Sequence, residues 1–147
     1  MREYLFRARS VTSGEWVYGS LLIDNRQNAY GPQIMWYEEG AGFVSADVEL
    51  DSIGEYTGLH DKNGKRVFEG DIVKIHQFLF DGNEYEHETK GAIKWGEYGW
   101  LLSQIEGEAV NKYMGYKNGE GETYFINFYG LHEESFEVIG NIHEVSP

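Results

Sequence analysis

The sequence predicts an all-β protein. Aromatic residues make up 16% of its 147 positions, with nineteen glycines against two prolines, the composition of short pleated strands joined by glycine turns. Period-two alternation recurs, most clearly where Gly91, Ile93 and Trp95 alternate with Lys90, Ala92 and Lys94. Asn63-Gly64, flanked by Lys62 and Lys65, is the strongest short hairpin signal available, because a two-residue type I′ turn needs positive φ at both central positions.

Taken in order, Tyr4, Phe6 and Ala8 fall on one side of a first strand. Thr12-Ser13-Gly14 turns the chain into a second, Glu15 to Ile23. Asp24-Asn25-Arg26 breaks the run, and Gly31-Pro32 marks a bend or edge before Ile34-Met35-Trp36-Tyr37. A loop at Glu38 to Gly42 leads to a strand between Phe43 and Leu50, and a boundary between two lobes falls near Tyr56. The central turn then feeds Gly70-Asp71 and a strand to Phe80, with Val73, Ile75 and Leu79 on one face and Ile72, Phe78 and Phe80 on the other. Asp81 to Thr89 reads as a polar loop with four acids. Lys90 to Trp95 and Trp100 to Leu102 form a hairpin around Gly96-Glu97-Tyr98-Gly99, and Lys117 to Glu122 is an exposed tip. A strand at Thr123 to Phe128, one helical turn at Leu131 to Ser135, and a closing strand with Phe136, Val138 and Ile142 on a common face complete the chain.

The formal charge of -13 is uneven: residues 1–30 carry four Arg and three acids, residues 31–147 eight Lys or Arg and twenty-two acids. Such a field repels phosphate backbones and anionic lipid, so naked nucleic acid and membrane surfaces are not expected partners. Without cysteine there is no disulfide, thiol nucleophile or thiolate metal site. The opening Met-Arg-Glu-Tyr-Leu-Phe-Arg lacks the apolar stretch of a leader, and no run approaches 18 apolar residues, so a cytoplasmic location is expected.

No motif carries a chemistry. Gly58 to Lys65 has the wrong spacing for a phosphate loop, and Arg66 stands where Ser or Thr would hold magnesium. Asp61 and Asn63 begin like a calcium loop, but Lys65 and Arg66 occupy positions that need a ligand and a glycine. Glu84, Glu86, His87 and Glu88, with His76 upstream, are ligand types without a spacing that fixes two on one face. Glu133-Glu134 and Glu137 become a catalytic pair only if a cleft desolvates them. No cofactor is expected. The structural positions singled out are Asn63, Gly64, Gly70 and Asp71.

Several blocks occur together: Phe6-Arg7-Ala8 with Trp16-Val17-Tyr18-Gly19, Tyr56-Thr57-Gly58-Leu59, Asp61-Lys62-Asn63-Gly64-Lys65, Glu69-Gly70-Asp71-Ile72-Val73 and Val138-Ile139-Gly140-Asn141-Ile142. In this order they resemble the YopX-like family of phage and prophage proteins. His60 and Arg66 depart from the pattern, and residues 105–130 contribute nothing to it. The resemblance implies an all-β protein of a bacterial host whose later part is similar to an SH3-like barrel. It implies no activity or catalytic residue. The expected organisation is a hairpin-rich N-terminal lobe, residues 1–57, packed on an SH3-like β-barrel, residues 58–147.

Trp95, Tyr98, Trp100, Tyr113, Tyr116 and Tyr124 are more aromatics than one small barrel core absorbs. On SH3-like modules such side chains build peptide grooves, while cross-strand pairing accounts for the same residues structurally. Trp95, Tyr98, Trp100, Tyr113 and Tyr116 are therefore the candidate partner-binding residues. The expected function is a non-enzymatic protein-binding module meeting a host or phage protein, with self-association left open. Two alternatives stand beside it: an acidic mimic of DNA that blocks a DNA-binding protein, and a small carboxylate-dependent enzyme.

Overall fold

Antiparallel pairing between neighbours in sequence sets most of the chain's path. The computed structural model describes residues 3–24, 26, 31–80, 84–97, 99–107, 122–124 and 136–144. The chain divides into two compact units, Met1–Tyr56 and Thr57–Pro147. The architecture is all-β, with antiparallel pairing throughout the two sheets. No helix among the described residues is long and apolar enough to cross a membrane.

The first unit holds β1 (Phe6–Arg9), β2 (Trp16–Leu22), β3 (Gln33–Glu38), β4 (Gly42–Asp47), a 3-10 turn at Leu50–Ser52 and the start of β5 (Gly54–His60), in the order β4-β3-β2-β1-β5. The expected first hairpin is present: the Ser10 N–H donates to the Glu15 carbonyl at 2.8 Å and the Gly14 N–H to the Ser10 carbonyl at 2.9 Å. Phe6 and Ala8 face a core of Ala8, Ile34 and Val48, with Val17, Leu21, Trp36 and Ile53 packed against it. Tyr4 does not extend that face. It precedes β1 and is exposed, because the ladder with β2 begins only at Phe6 opposite Gly19. Beyond β4 the chain returns alongside the end of β1 in an isolated bridge, Ser10 opposite Val48.

The second unit continues β5 beyond Tyr56 and adds β6 (Arg66–Phe68), then a five-stranded sheet in the order β10-β9-β8-β7-β11. Its strands are β7 (Asp71–Phe80), β8 (Glu84–Trp95), β9 (Trp100–Gly107), β10 (Glu122–Tyr124) and β11 (Phe136–Asn141). Val67, Val73, Ile75, Ile93, Leu102 and Phe136 form its buried core. β10 and β11 are the ends of the sheet and do not pair with each other among the described residues, so the closed SH3-like barrel that the resemblance implied is not formed among those residues.

Three local expectations are corrected. The central turn is not a two-residue turn centred on Asn63-Gly64. The Asp61 N–H donates to the Lys65 carbonyl at 2.8 Å and the Gly64 N–H to the Asp61 carbonyl at 2.9 Å, so Asp61 and Lys65 close a three-residue loop with Lys62 and Asn63 at its centre. Gly64, at φ +79°, is the left-handed residue after the turn, the other common hairpin solution. Second, Glu84–Thr89 is not loop but the first half of β8, paired from Phe80 opposite Glu84 to Ile75 opposite Thr89. Pairing satisfies the backbone whatever the polarity of the side chains, which composition alone does not reveal. Third, Ile142 does not share the face of Phe136 and Val138. The register with β7 shifts between Val138 and Gly140, and the extra residue inverts the alternation, leaving Ile142 beyond the strand and 54% exposed. The expected helical turn at 131–135 lies outside the described residues.

Candidate functional site

The β8–β9 hairpin brings together the two tryptophans singled out in the sequence. Gly96 donates its N–H to the Gly99 carbonyl at 2.7 Å, closing a tight connection that sets Trp95 directly opposite Trp100. Residues opposite one another in an antiparallel pair share a face, and the rings meet edge to face, centroids 4.9 Å apart and planes at 76°. Their environments differ. Trp100 packs against the core of Val67, Val73, Ile75, Ile93, Leu102 and Phe136, whereas Trp95 is 59% exposed. One ring is thus a fixed support and the other a presented surface. A tryptophan held by a neighbour loses little rotamer entropy on contact and offers a large apolar area with one N–H donor. Tyr98, Tyr113 and Tyr116 lie outside the described residues, and Tyr124 is placed by its backbone opposite Leu101.

Asn63, Gly64, Gly70 and Asp71 hold the scaffold. Asp71, fully buried, accepts the Phe68 N–H at 2.8 Å. Gly70, at φ +90°, donates its N–H to the Ile93 carbonyl at 2.8 Å and accepts the Ile142 N–H at 2.9 Å. The organising side chain is Asp61, which the sequence offered only as a turn residue and a rejected calcium-loop position. Its Oδ1 accepts the N–H groups of Asn63 and Lys65, each at 2.9 Å, and its Oδ2 that of Val138 at 3.0 Å. Burial works to raise the Asp61 carboxyl, but the N–H groups of Val138, Lys65 and Asn63, together with the Lys65 charge, outweigh it and hold the group below the usual carboxylate range. An aspartate two residues before Asn-Gly was the available signal, since Asx turns bond forward in this way. Glu137 serves the same junction, 3.5 Å from Lys62 Nζ and 3.4 Å from Asn63 Nδ2. Glu133 and Glu134 lie outside the described residues.

The first unit carries aromatic surface that the reading also missed. Tyr37 and Phe43 are paired across β3 and β4, edge to face at 5.5 Å, and are 65% and 75% exposed. Their signal was an aromatic residue on either side of the Glu38–Gly42 turn. On β1 and β2 the guanidinium carbons of Arg7 and Arg9 lie 4.8 and 5.4 Å from the Trp16 ring centroid, within cation–π range.

Residues 5–147 match the protein-family model described as YopX protein. Among solved structures, the chain is similar to one titled "Crystal structure of protein EF1440 from Enterococcus faecalis", at 19% identity and a TM-score of 0.47, over 97% of this chain and 95% of that one. No curated protein matches.

Proposed function

The chain belongs to the YopX family, and from that premise we propose that it is a non-enzymatic protein-binding module, encoded by a phage or prophage and acting in the cytoplasm of its bacterial host. The observation that carries the reading is the Trp95–Trp100 pair, one ring seated on the core and the other exposed. An exposed tryptophan backed by a fixed neighbour has the character of an interface anchor, because such residues supply a large share of binding energy where they are buried by a partner. The reading takes the second unit as an SH3-like module, a class that receives extended peptides between aromatic side chains. The antiparallel run β7-β8-β9 supports that comparison.

Photo-crosslinking from a position beside Trp95 in host lysate, at low and moderate salt, tests it. A partner cross-linked reproducibly by the wild type and lost in Trp95→Ala, with the far-UV spectrum unchanged, is the expected result. No reproducible partner, or one retained in full by Trp95→Ala, would overturn it.

A further inference from the structure

We propose that Asn63 is a site of spontaneous deamidation, and that its conversion undoes the junction between the β5–β6 turn and β11. The reacting groups are neighbours in the chain. The Gly64 backbone nitrogen bonds to the Asn63 side-chain carbonyl carbon, loses its proton to solvent and expels the side-chain nitrogen as ammonia, closing a cyclic succinimide. Water then opens the ring. Attack at the side-chain carbonyl leaves aspartate; attack at the main-chain carbonyl leaves isoaspartate, whose backbone runs through Cβ and Cγ and is longer by a methylene. Asn63 is exposed, and Gly64 has no side chain to shield its nitrogen, with open space where a Cβ would stand. Hydrogen bonds hold the two groups out of reaction. The Gly64 N–H donates to the Asp61 carbonyl at 2.9 Å, the Asn63 N–H to Asp61 Oδ1 at 2.9 Å, and Asn63 Nδ2 to Glu137 Oε2 at 3.4 Å. The nitrogen is released for attack only when the turn opens, so the conversion follows local opening of this hairpin.

The effect of the product follows from the same contacts. Aspartate at 63 replaces a donor by a carboxylate beside Glu137 Oε2, and two neighbouring carboxylates oppose each other's ionisation. Lys62 Nζ, 3.5 Å from the same Glu137 oxygen, offsets part of that repulsion. Isoaspartate does more. Loop length fixes the type of a hairpin turn, and the added methylene falls inside the loop that the Asp61 N–H and the Lys65 carbonyl close at 2.8 Å. It draws the Lys65 N–H away from Asp61 Oδ1 and disturbs the carboxylate whose other oxygen accepts the Val138 N–H at 3.0 Å. The change passes from the turn to β11 through that one side chain. Asn118-Gly119 is the other Asn-Gly of the chain; it lies outside the described residues and supplies a reference rate once the fold is removed. The chain thus carries a one-way covalent change, timed by the opening of a turn and expressed as a loosened β11.

Incubation of the full chain at mildly alkaline pH, native and in guanidinium chloride, tests the site, with peptide mapping by mass spectrometry and enzymatic methylation of isoaspartate as readouts. In denaturant, where Asn118 gives the reference rate, Asn63 should convert freely. In the native chain Asn63 should still convert, about tenfold more slowly than in denaturant, and several-fold faster in Asp61→Asn than in the wild type. If Asp61→Asn fails to fold, the wild-type rate at sub-denaturing guanidinium decides instead, and it should rise with denaturant. Chain deamidated at Asn63, isolated by anion exchange, should have a lower urea midpoint than fresh chain, while Asn63→Gln aged alongside keeps its own. Asn63→Asp isolates the charge: its midpoint should fall, and by less in the Glu137→Gln background. Asn63 left intact in the native chain, equal rates in the native and denatured states, no acceleration when the turn is loosened, a deamidated chain as stable as the fresh one, or a charge effect undiminished in Glu137→Gln would each overturn the proposal.

Discussion

Asp61 and Val138 are far apart in the chain, yet the Val138 N–H donates to Asp61 Oδ2 at 3.0 Å. The same carboxylate holds the β5–β6 turn through Asn63 and Lys65, so one side chain sets a hairpin and attaches it to β11. Asp61→Ala strips three backbone donors of their acceptor at a site 4% exposed. The expected loss is about 2–4 kcal/mol, with Asp61→Asn losing about 1–2 kcal/mol because one oxygen remains. Urea midpoints at neutral pH measure both.

The depressed Asp61 carboxyl also predicts a pH dependence. A group whose folded pKa lies below its unfolded value leaves the unfolded state binding more protons. Its stabilisation is therefore complete above the unfolded aspartate value of about 3.9 and is lost as pH falls through the folded value. Denaturation series from pH 7 downward should show this loss in the wild type and a shallower one in Asp61→Asn. Parallel slopes would assign the acid sensitivity to other carboxyls.

Two glycines fail differently when given a side chain. Gly64 sits at φ +79° with nothing within 4 Å of an added Cβ, so Gly64→Val should cost about 1–2 kcal/mol from backbone strain alone. At Gly19 the added Cβ would overlap the Met35 carbonyl oxygen of the paired strand. Gly19→Ala therefore forces β2 and β3 apart and should cost about 3 kcal/mol or more, at the upper end of overpacking. Thermal melts of the two variants order them.

Val73→Ala and Ile93→Ala remove volume from the fully buried core of the second unit and should cost roughly 1–3 and 2–5 kcal/mol. Ile72, its neighbour on the other face of β7, is only half-buried, so Ile72→Ala should cost less than Ile93→Ala. Urea denaturation of the three compares them directly.

Trp95→Ala removes an edge-to-face contact worth about 0.5–1.5 kcal/mol and little else. Trp100→Ala also opens space against the core and should cost about 3–5 kcal/mol. A near-wild-type Trp95→Ala beside a severely destabilised Trp100→Ala is the pattern expected of a presented ring on a structural support.

Residue chemistry alone determined the all-β class, the first hairpin, the left-handed glycine after Asn63, and the pairing of Trp95 with Trp100. Each depends on interactions among near neighbours: alternation, turn residues, and the length of a short connection. Tertiary structure decided what depends on distant partners. Glu84–Thr89 is polar enough to read as loop, and only β7 beside it makes it strand. The shift after Val138 that turns Ile142 outward exists only relative to β7. Asp61 reads as a turn residue until β11 brings the Val138 N–H to it, and the exposure of Tyr37 and Phe43 is decided by which face of β3 and β4 meets the core. Backbone donors and acceptors are identical at every position but proline, so the sequence carries the local preference for a strand but not the identity of the strand that will pair with it.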